Sequence, residues 1–119
     1  MHTTVTEWNM INWARLAELY EDFGEDGIAE VVEIFLEEVG QAQERLLATE
    51  DSKALRDEFH FLKGAALNLG FDEIAALCAT GEQRATEGRD CSEEKAQLAL
   101  LLPRTCAVFA RDWRMRMAG

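Results

Sequence analysis

Few residues in this chain of 119 amino acids are able to carry out chemistry. The chain contains two histidines, His2 and His60, and three cysteines, which are Cys78, Cys91 and Cys106. Most metal sites and nucleophile pairs need more of these side chains than the chain supplies. His60 could act alone, because a neutral imidazole keeps a lone pair on one ring nitrogen near pH 7. That lone pair can attack phosphorus and form a phosphoramidate, so phosphoryl transfer is the chemistry to consider.

The residues around His60 suit such a reaction if they lie on a helix. At about 100° per residue, four positions share the outward face of His60 to within about 60°. They are Arg56, Lys63, Gly64 and Leu67. The two cations would offset the charge of phosphoryl oxygens. Gly64 leaves the helix surface bare for a partner at the expense of helix propensity, and Leu67 offers apolar docking area.

Helical periodicity dominates the chain and predicts an all-α fold. Four amphipathic helices joined by short loops indicate an antiparallel up-and-down four-helix bundle, with a short helix before it at the N-terminal end. The short helix is expected to stop near Gly24 and Gly27. The next helix carries an apolar stripe from Ile28 to Leu46, and Gly40 inside it would permit a close contact with another helix.

Cap and stop residues predict three further helices. The first of them starts after the Asp51-Ser52 cap, the second begins near Asp72, and the third begins at Ser92. Gly70 and Gly88 would end the first two, and Phe59 lies at the margin of the apolar stripe that His60 faces away from. Pro103 lies inside the last helix, where it removes one backbone donor and clashes with the preceding turn. We therefore expect a kink near residues 100–102 or two helices in place of one.

Composition restricts the classes of function. The length predicts one domain over residues 1–119, with a bundle core at about 11–116. The net charge of -11 disfavours nucleic acid as a partner, and residues 1–50 hold 12 carboxylates against two arginines. No secretion signal or membrane-spanning run is apparent, so we expect a cytoplasmic protein. The heptad runs are short and the apolar stripes are wide enough to close a monomeric core, so we expect a monomer. An odd number of cysteines favours reduced thiols, with Cys91 in a loop that could be exposed.

The stretch from His60 to Gly70 resembles the signature of the histidine-containing phosphotransfer (HPt) domain. That signature reads His, any residue, Leu-Lys-Gly, five residues, then Gly, and each fixed position is filled here. The residues that fill them are His60, Leu62, Lys63, Gly64 and Gly70. The likeness extends over most of the chain, from Ile11-Asn12-Trp13 to Ile74-Ala75-Ala76-Leu77-Cys78. Asn12 departs from the family pattern, where an acidic residue is common, and so does Thr80-Gly81 inside the fourth helix.

The resemblance implies a phosphocarrier of two-component phosphorelays, which is not an enzyme acting alone. His60 would accept a phosphoryl group from an aspartate of a response-regulator receiver domain and pass it to another receiver. Through a receiver, the partners would include a hybrid histidine kinase. By position, Lys63 would stabilise the phosphoryl group, Gly64 would make room for the receiver, and Gly70 would fix a turn. Glu82 would hydrogen-bond the imidazole and favour its protonated form. No cofactor or metal is expected in this chain, since the magnesium ion belongs to the receiver.

Three alternatives compete with phosphoryl transfer. A carboxylate-bridged metal bundle would use a motif such as Asp57-x-x-His60, but it needs that motif twice. A nucleophile pair of Cys78 and His60 has no support in the sequence, although distance along the chain does not exclude contact. The third is a helical docking module that binds and inhibits receivers or a histidine kinase without transferring phosphate. Such a module would not require the nucleophile.

Overall fold

The computed structural model describes residues 10–118, most of which lie in four helices. The helices are α1 (Trp13–Ala48), α2 (Ser52–Asn68), α3 (Asp72–Thr86) and α4 (Ser92–Ala118). Each helix packs against the next one along the chain, and α1 also packs against α4, so the four form a closed bundle. The connecting segments are short, as in bundles whose consecutive helices are antiparallel. The predicted all-α bundle is confirmed, and no helix within the described range is long and apolar enough to cross a membrane.

Helix α1 is interrupted at Gly24, whose backbone leaves the helical region with φ 74° and ψ 174°. Glycine adopts a positive φ without steric cost, so it suits this position. The short N-terminal helix is thus the first segment of α1. The second predicted stop is wrong, because the helix continues through Gly27. The close contact with another helix expected at Gly40 is also wrong, since no described atom of another helix lies within 4 Å of the position its Cβ would take.

The start of α1 is tied to the turn between α2 and α3. The Asn12 side-chain oxygen caps α1 by accepting a hydrogen bond from Ala14 N–H at 3.1 Å, and Asn12 Nδ2 donates to Asp72 at 3.3 Å. Asn12 N–H also donates to the Gly70 carbonyl at 2.6 Å. Gly70 has φ 77°, and a Cβ there would collide with the Asn12 carbonyl oxygen. Asparagine at position 12, where an acidic residue is common in the family pattern, therefore has a physical reason. An aspartate there could not donate a hydrogen bond to Asp72 and would repel its carboxylate.

Aromatic side chains fill the core between the helices. Trp13 stacks on Phe109 with ring centroids 5.4 Å apart, and Phe71 contacts the Phe109 ring edge-on at 5.5 Å. Phe59 is fully buried, which agrees with its place on the predicted apolar stripe, although the helical projection put it at the margin. The neighbouring helix α3 places Gly81 against the Phe59 ring and covers it.

Helix α4 runs without a break from Ser92 to Ala118, so the predicted alternative of two helices at Pro103 is wrong. Pro103 is exposed, as is Ala99, whose carbonyl would normally pair with the amide that proline lacks. A carbonyl on the exposed side of a helix can bind water instead. The residue before the proline, Leu102, is buried in the core and helps to hold the helix in place.

Candidate functional site

His60 lies on the solvent-facing side of α2. Asp51 starts this helix, since its carboxylate accepts a hydrogen bond from Ala54 N–H at 3.0 Å. The neighbouring residues Phe59 and Leu62 are fully buried, whereas the His60 side chain is 69% exposed. The predicted outward orientation of His60 is confirmed. The buried neighbours hold the helix in register, and the imidazole stays open to an approaching partner.

A carboxylate on α3 bridges His60 to a cation on α2. Oε2 of Glu82 lies 3.0 Å from Nδ1 of His60, and Oε1 of Glu82 accepts a hydrogen bond from Nζ of Lys63 at 2.7 Å. The Glu82 and Lys63 side chains are both partly buried, at 24% and 31% exposure. The predicted residue Glu82 is therefore in place beside the imidazole, and it also binds Lys63, a contact that the sequence did not indicate.

These contacts define the protonation of the site. The hydrogen bond from Lys63, and after it the one from His60, lowers the pKa of Glu82 below its ordinary value although partial burial opposes the shift. The carboxylate is therefore ionised at neutral pH and can only accept hydrogen bonds. The His60 Nδ1 must then be the donor. In the neutral ring this leaves the lone pair on Nε2, the nitrogen that Glu82 does not hold.

The other predicted residues on this face differ in their surroundings. At Gly64 no described atom other than the local helix backbone and the adjacent residues lies within 4 Å of the position a Cβ would occupy, so the helix surface is bare there. Leu67 is 47% exposed. The guanidinium of Arg56 binds the carboxylate of Asp57 at 3.1 and 3.2 Å, which offsets its charge locally. Gly64 and Leu67 thus offer an open surface, whereas the contacts of Arg56 go to its neighbour and not to Glu82.

A shallow groove beside His60 includes residues that the sequence reasoning missed. Its lining consists of Glu38, His60, Phe61, Gly64, Ala65 and Asn68. Phe61 is 48% exposed, and the guanidinium carbon of Arg45 lies 5.0 Å from its ring centroid. Arg45 is held there by Glu58, which accepts hydrogen bonds from its Nε at 3.0 and 3.2 Å. Phe61 could have been found as an apolar residue outside the helical stripe. Glu38 and Arg45 lie on α1, and no pattern within the sequence of α2 predicts that they lie beside His60 and Phe61.

The cysteines do not supply a competing nucleophile. Burial raises the pKa of Cys78 to about 12 and that of Cys106 to about 11, so both stay protonated near pH 7. The expectation that Cys91 could be exposed is wrong, because it is buried and its Sγ donates to the Gly81 carbonyl at 3.7 Å. Among residues 10–118, no three histidine, cysteine or carboxylate side chains are placed to share a metal ion.

Comparisons with known proteins agree with this geometry. The Hpt domain family matches residues 30–107. The phosphorelay protein LuxU of Vibrio cholerae serotype O1 is 31% identical over 106 residues, which cover 83% of this chain and 90% of that protein. The protein of the same name from Vibrio vulnificus is 30% identical over 95 residues, covering 77% of this chain and 83% of that protein. No solved structure matches the chain. The chain therefore belongs to the Hpt domain family, the histidine-containing phosphotransfer proteins of phosphorelays.

Proposed function

We propose that His60 is the phosphorylated residue and that its Nε2 is the nucleophile. The observation that supports this assignment is the contact between Nδ1 of His60 and the Glu82 carboxylate at 3.0 Å. With the proton on Nδ1, the lone pair of a neutral ring lies on Nε2. The exposed position of the ring lets a receiver domain bring its phosphorylated aspartate in line with that lone pair.

The transfer step needs no proton to leave the ring. The Nε2 lone pair forms a bond to phosphorus while the bond between phosphorus and the aspartate oxygen breaks, and the aspartate leaves as a carboxylate. Because Nδ1 keeps its proton, the phosphorylated ring carries a positive charge. Glu82 lies against that proton and stabilises the charge. The reverse displacement passes the phosphoryl group to an aspartate of a second receiver.

Lys63 is placed to act on the phosphoryl group. Its ammonium group has three donors, and Oε1 of Glu82 occupies one of them at 2.7 Å. The other donors are available for phosphoryl oxygens on the neighbouring His60, one helical turn away. Glu82 therefore keeps the cation close to the nucleophile, and the electrostatic contribution of this chain to transfer comes mainly from Lys63.

The surface around the nucleophile suits docking of a receiver. Gly64 lets the partner's loops approach the helix backbone, and Leu67 contributes apolar contact area. Arg56 supplies a further cation at the edge of this surface. We place the magnesium ion and its acidic pocket on the receiver, with no cofactor in this chain. The chain is then a carrier that borrows catalysis from its partners, reaches a hybrid histidine kinase through a receiver, and works as a cytoplasmic monomer.

Incubation with a phosphorylated receiver tests this proposal. We expect the protein to acquire a phosphate that is labile in acid and stable in alkali, as a phosphoramidate is. His60→Gln should abolish the label, whereas His2→Gln, the matched control, should retain it. Labelling that persists in His60→Gln, or wild-type protein that no receiver of the source cell labels, would contradict the proposal. Receiver binding without any transfer would instead identify a docking module that inhibits its partners.

A further inference from the structure

Helices α2 and α3 approach each other closely at one point beside the site. If Gly81 carried a Cβ, that atom would lie 2.7 Å from Cδ1 of Phe59 and nearer still to Cε1 and Cζ. Non-bonded carbon atoms pack at about 3.5–4.0 Å, so a side chain at position 81 would force the helices apart by about 1 Å. Phe59 is fully buried and its aromatic ring is rigid, so the ring has little room to move aside.

This packing contact is adjacent in sequence to the candidate site on both helices. Phe59 immediately precedes His60, and Gly81 immediately precedes Glu82. The two contacts of Glu82 with α2 are 3.0 Å to His60 and 2.7 Å to Lys63. Since hydrogen bonds weaken steeply beyond about 3.2 Å, a separation larger by about 1 Å would break or distort both contacts.

We propose that Gly81 is a positioning residue, because its missing side chain lets α3 pack on the Phe59 ring at the distance from which Glu82 reaches His60 and Lys63. The effect of Gly81 on which nitrogen of the His60 ring is protonated is independent of the proposed function. Its effect on the rate of phosphotransfer rests on the proposed function. This role also accounts for a glycine in the interior of α3, where alanine would favour the helix by about 1 kcal/mol.

Nitrogen NMR of the His60 ring distinguishes positioning from a merely structural role, because it reports which ring nitrogen carries the proton. In the wild type we expect the neutral ring to be protonated mainly at Nδ1. In Gly81→Ala we expect that preference to be lost and phosphotransfer to fall about ten-fold, the factor for one charge-assisted hydrogen bond. The matched control is Gly40→Ala, which places the same methyl group on α1 with no described atom of another helix within 4 Å. It should change neither measurement.

The double variant Phe59→Leu/Gly81→Ala provides the rescue. Leucine removes about the volume that the alanine methyl adds, and volume-conserving exchanges are the best tolerated in cores. We expect this variant to restore Nδ1 protonation and transfer. Persistence of the wild-type tautomer in folded Gly81→Ala would overturn the proposal.

If Gly81→Ala alone does not fold, the double variant tests the positioning role in its place. Recovery of Nδ1 protonation would support the positioning role, whereas an unfolded double variant, or a folded one with the tautomer mixture of a free imidazole, would overturn it. The tautomer is measured without a receiver, so its outcome is independent of whether the wild type transfers phosphate. Failure of wild-type transfer would contradict only the proposed function.

Discussion

Gly64→Ala should make the protein more stable and less active at the same time. Gly64 is exposed in the interior of α2, and apart from the local helix backbone and the adjacent residues no described atom lies within 4 Å of the position of the added methyl group. The folded protein therefore accepts the methyl group without strain. Replacing glycine by alanine inside an exposed helix stabilises it by about 1 kcal/mol, which for a domain of this size raises the melting temperature by about 4 °C.

The same methyl group should weaken transfer, because it would occupy the space that the proposed docking leaves for the receiver beside His60. Overpacking by one methyl group in a close contact costs about 1–3 kcal/mol. We therefore expect the second-order rate of phosphotransfer from a receiver to fall about 5-fold to 150-fold. A larger residue, as in Gly64→Gln, should lower the rate further while the fold stays intact.

Thermal unfolding and single-turnover transfer of labelled phosphate measure the two effects. Gly40→Ala is the matched control, since it adds a methyl group to open space on α1 and should raise stability without changing transfer. Gly64→Ala that gains stability and transfers at the wild-type rate would refute the docking role. A loss of stability in Gly64→Ala would refute the structural premise that the position is open.

Three further outcomes test the structure. In the folded protein the pKa of Glu82 lies below its ordinary value of 4.5, so the ionised carboxylate stabilises the fold above pH 4.5. This contribution is lost as the pH falls through the lowered pKa of the folded state. The free energies of unfolding of wild type and Glu82→Gln, measured in urea, should therefore differ more at pH 6 than at pH 3. Gly70→Ala should lower the free energy of unfolding by about 2–4 kcal/mol, because the added Cβ collides with the Asn12 carbonyl in addition to the cost of the positive φ. Gly88→Ala has a similar φ of 69° but no such collision, so it should cost about 1 kcal/mol. Urea unfolding measures both values, and a larger loss in Gly88→Ala than in Gly70→Ala would contradict this order. Cys78 is buried and Cys106 is partly buried, and burial raises the pKa of both thiols. Alkylation of the folded protein near pH 7 should therefore be slow and should accelerate on unfolding, and fast labelling of native Cys78 would contradict its burial.

Features that depend on neighbours along the chain were predictable. The Asp51 cap, the turn at Gly70 and the outward face of His60 follow from residues within one or two helical turns, and the structure shows all three. The errors arose where distant residues decide. Gly27 looked like a stop because glycine has the same propensity whether or not tertiary packing sustains the helix. Cys91 looked like a loop residue that could be exposed, because no local pattern shows that its Sγ lies against the Gly81 carbonyl of α3.

The sequence alone was enough to propose His60 as the reacting side chain and to predict the helical face that presents it. The prediction that His60, Lys63 and Gly64 share one helical face needs only the periodicity of α2, and the family signature rests on the same local spacing. Only the tertiary structure decided which nitrogen of His60 is free, because the Glu82 carboxylate that holds Nδ1 belongs to another helix. The separation of α2 and α3 sets that contact, and it depends on the buried Phe59 ring meeting Gly81, two residues whose proximity arises only when the helices pack.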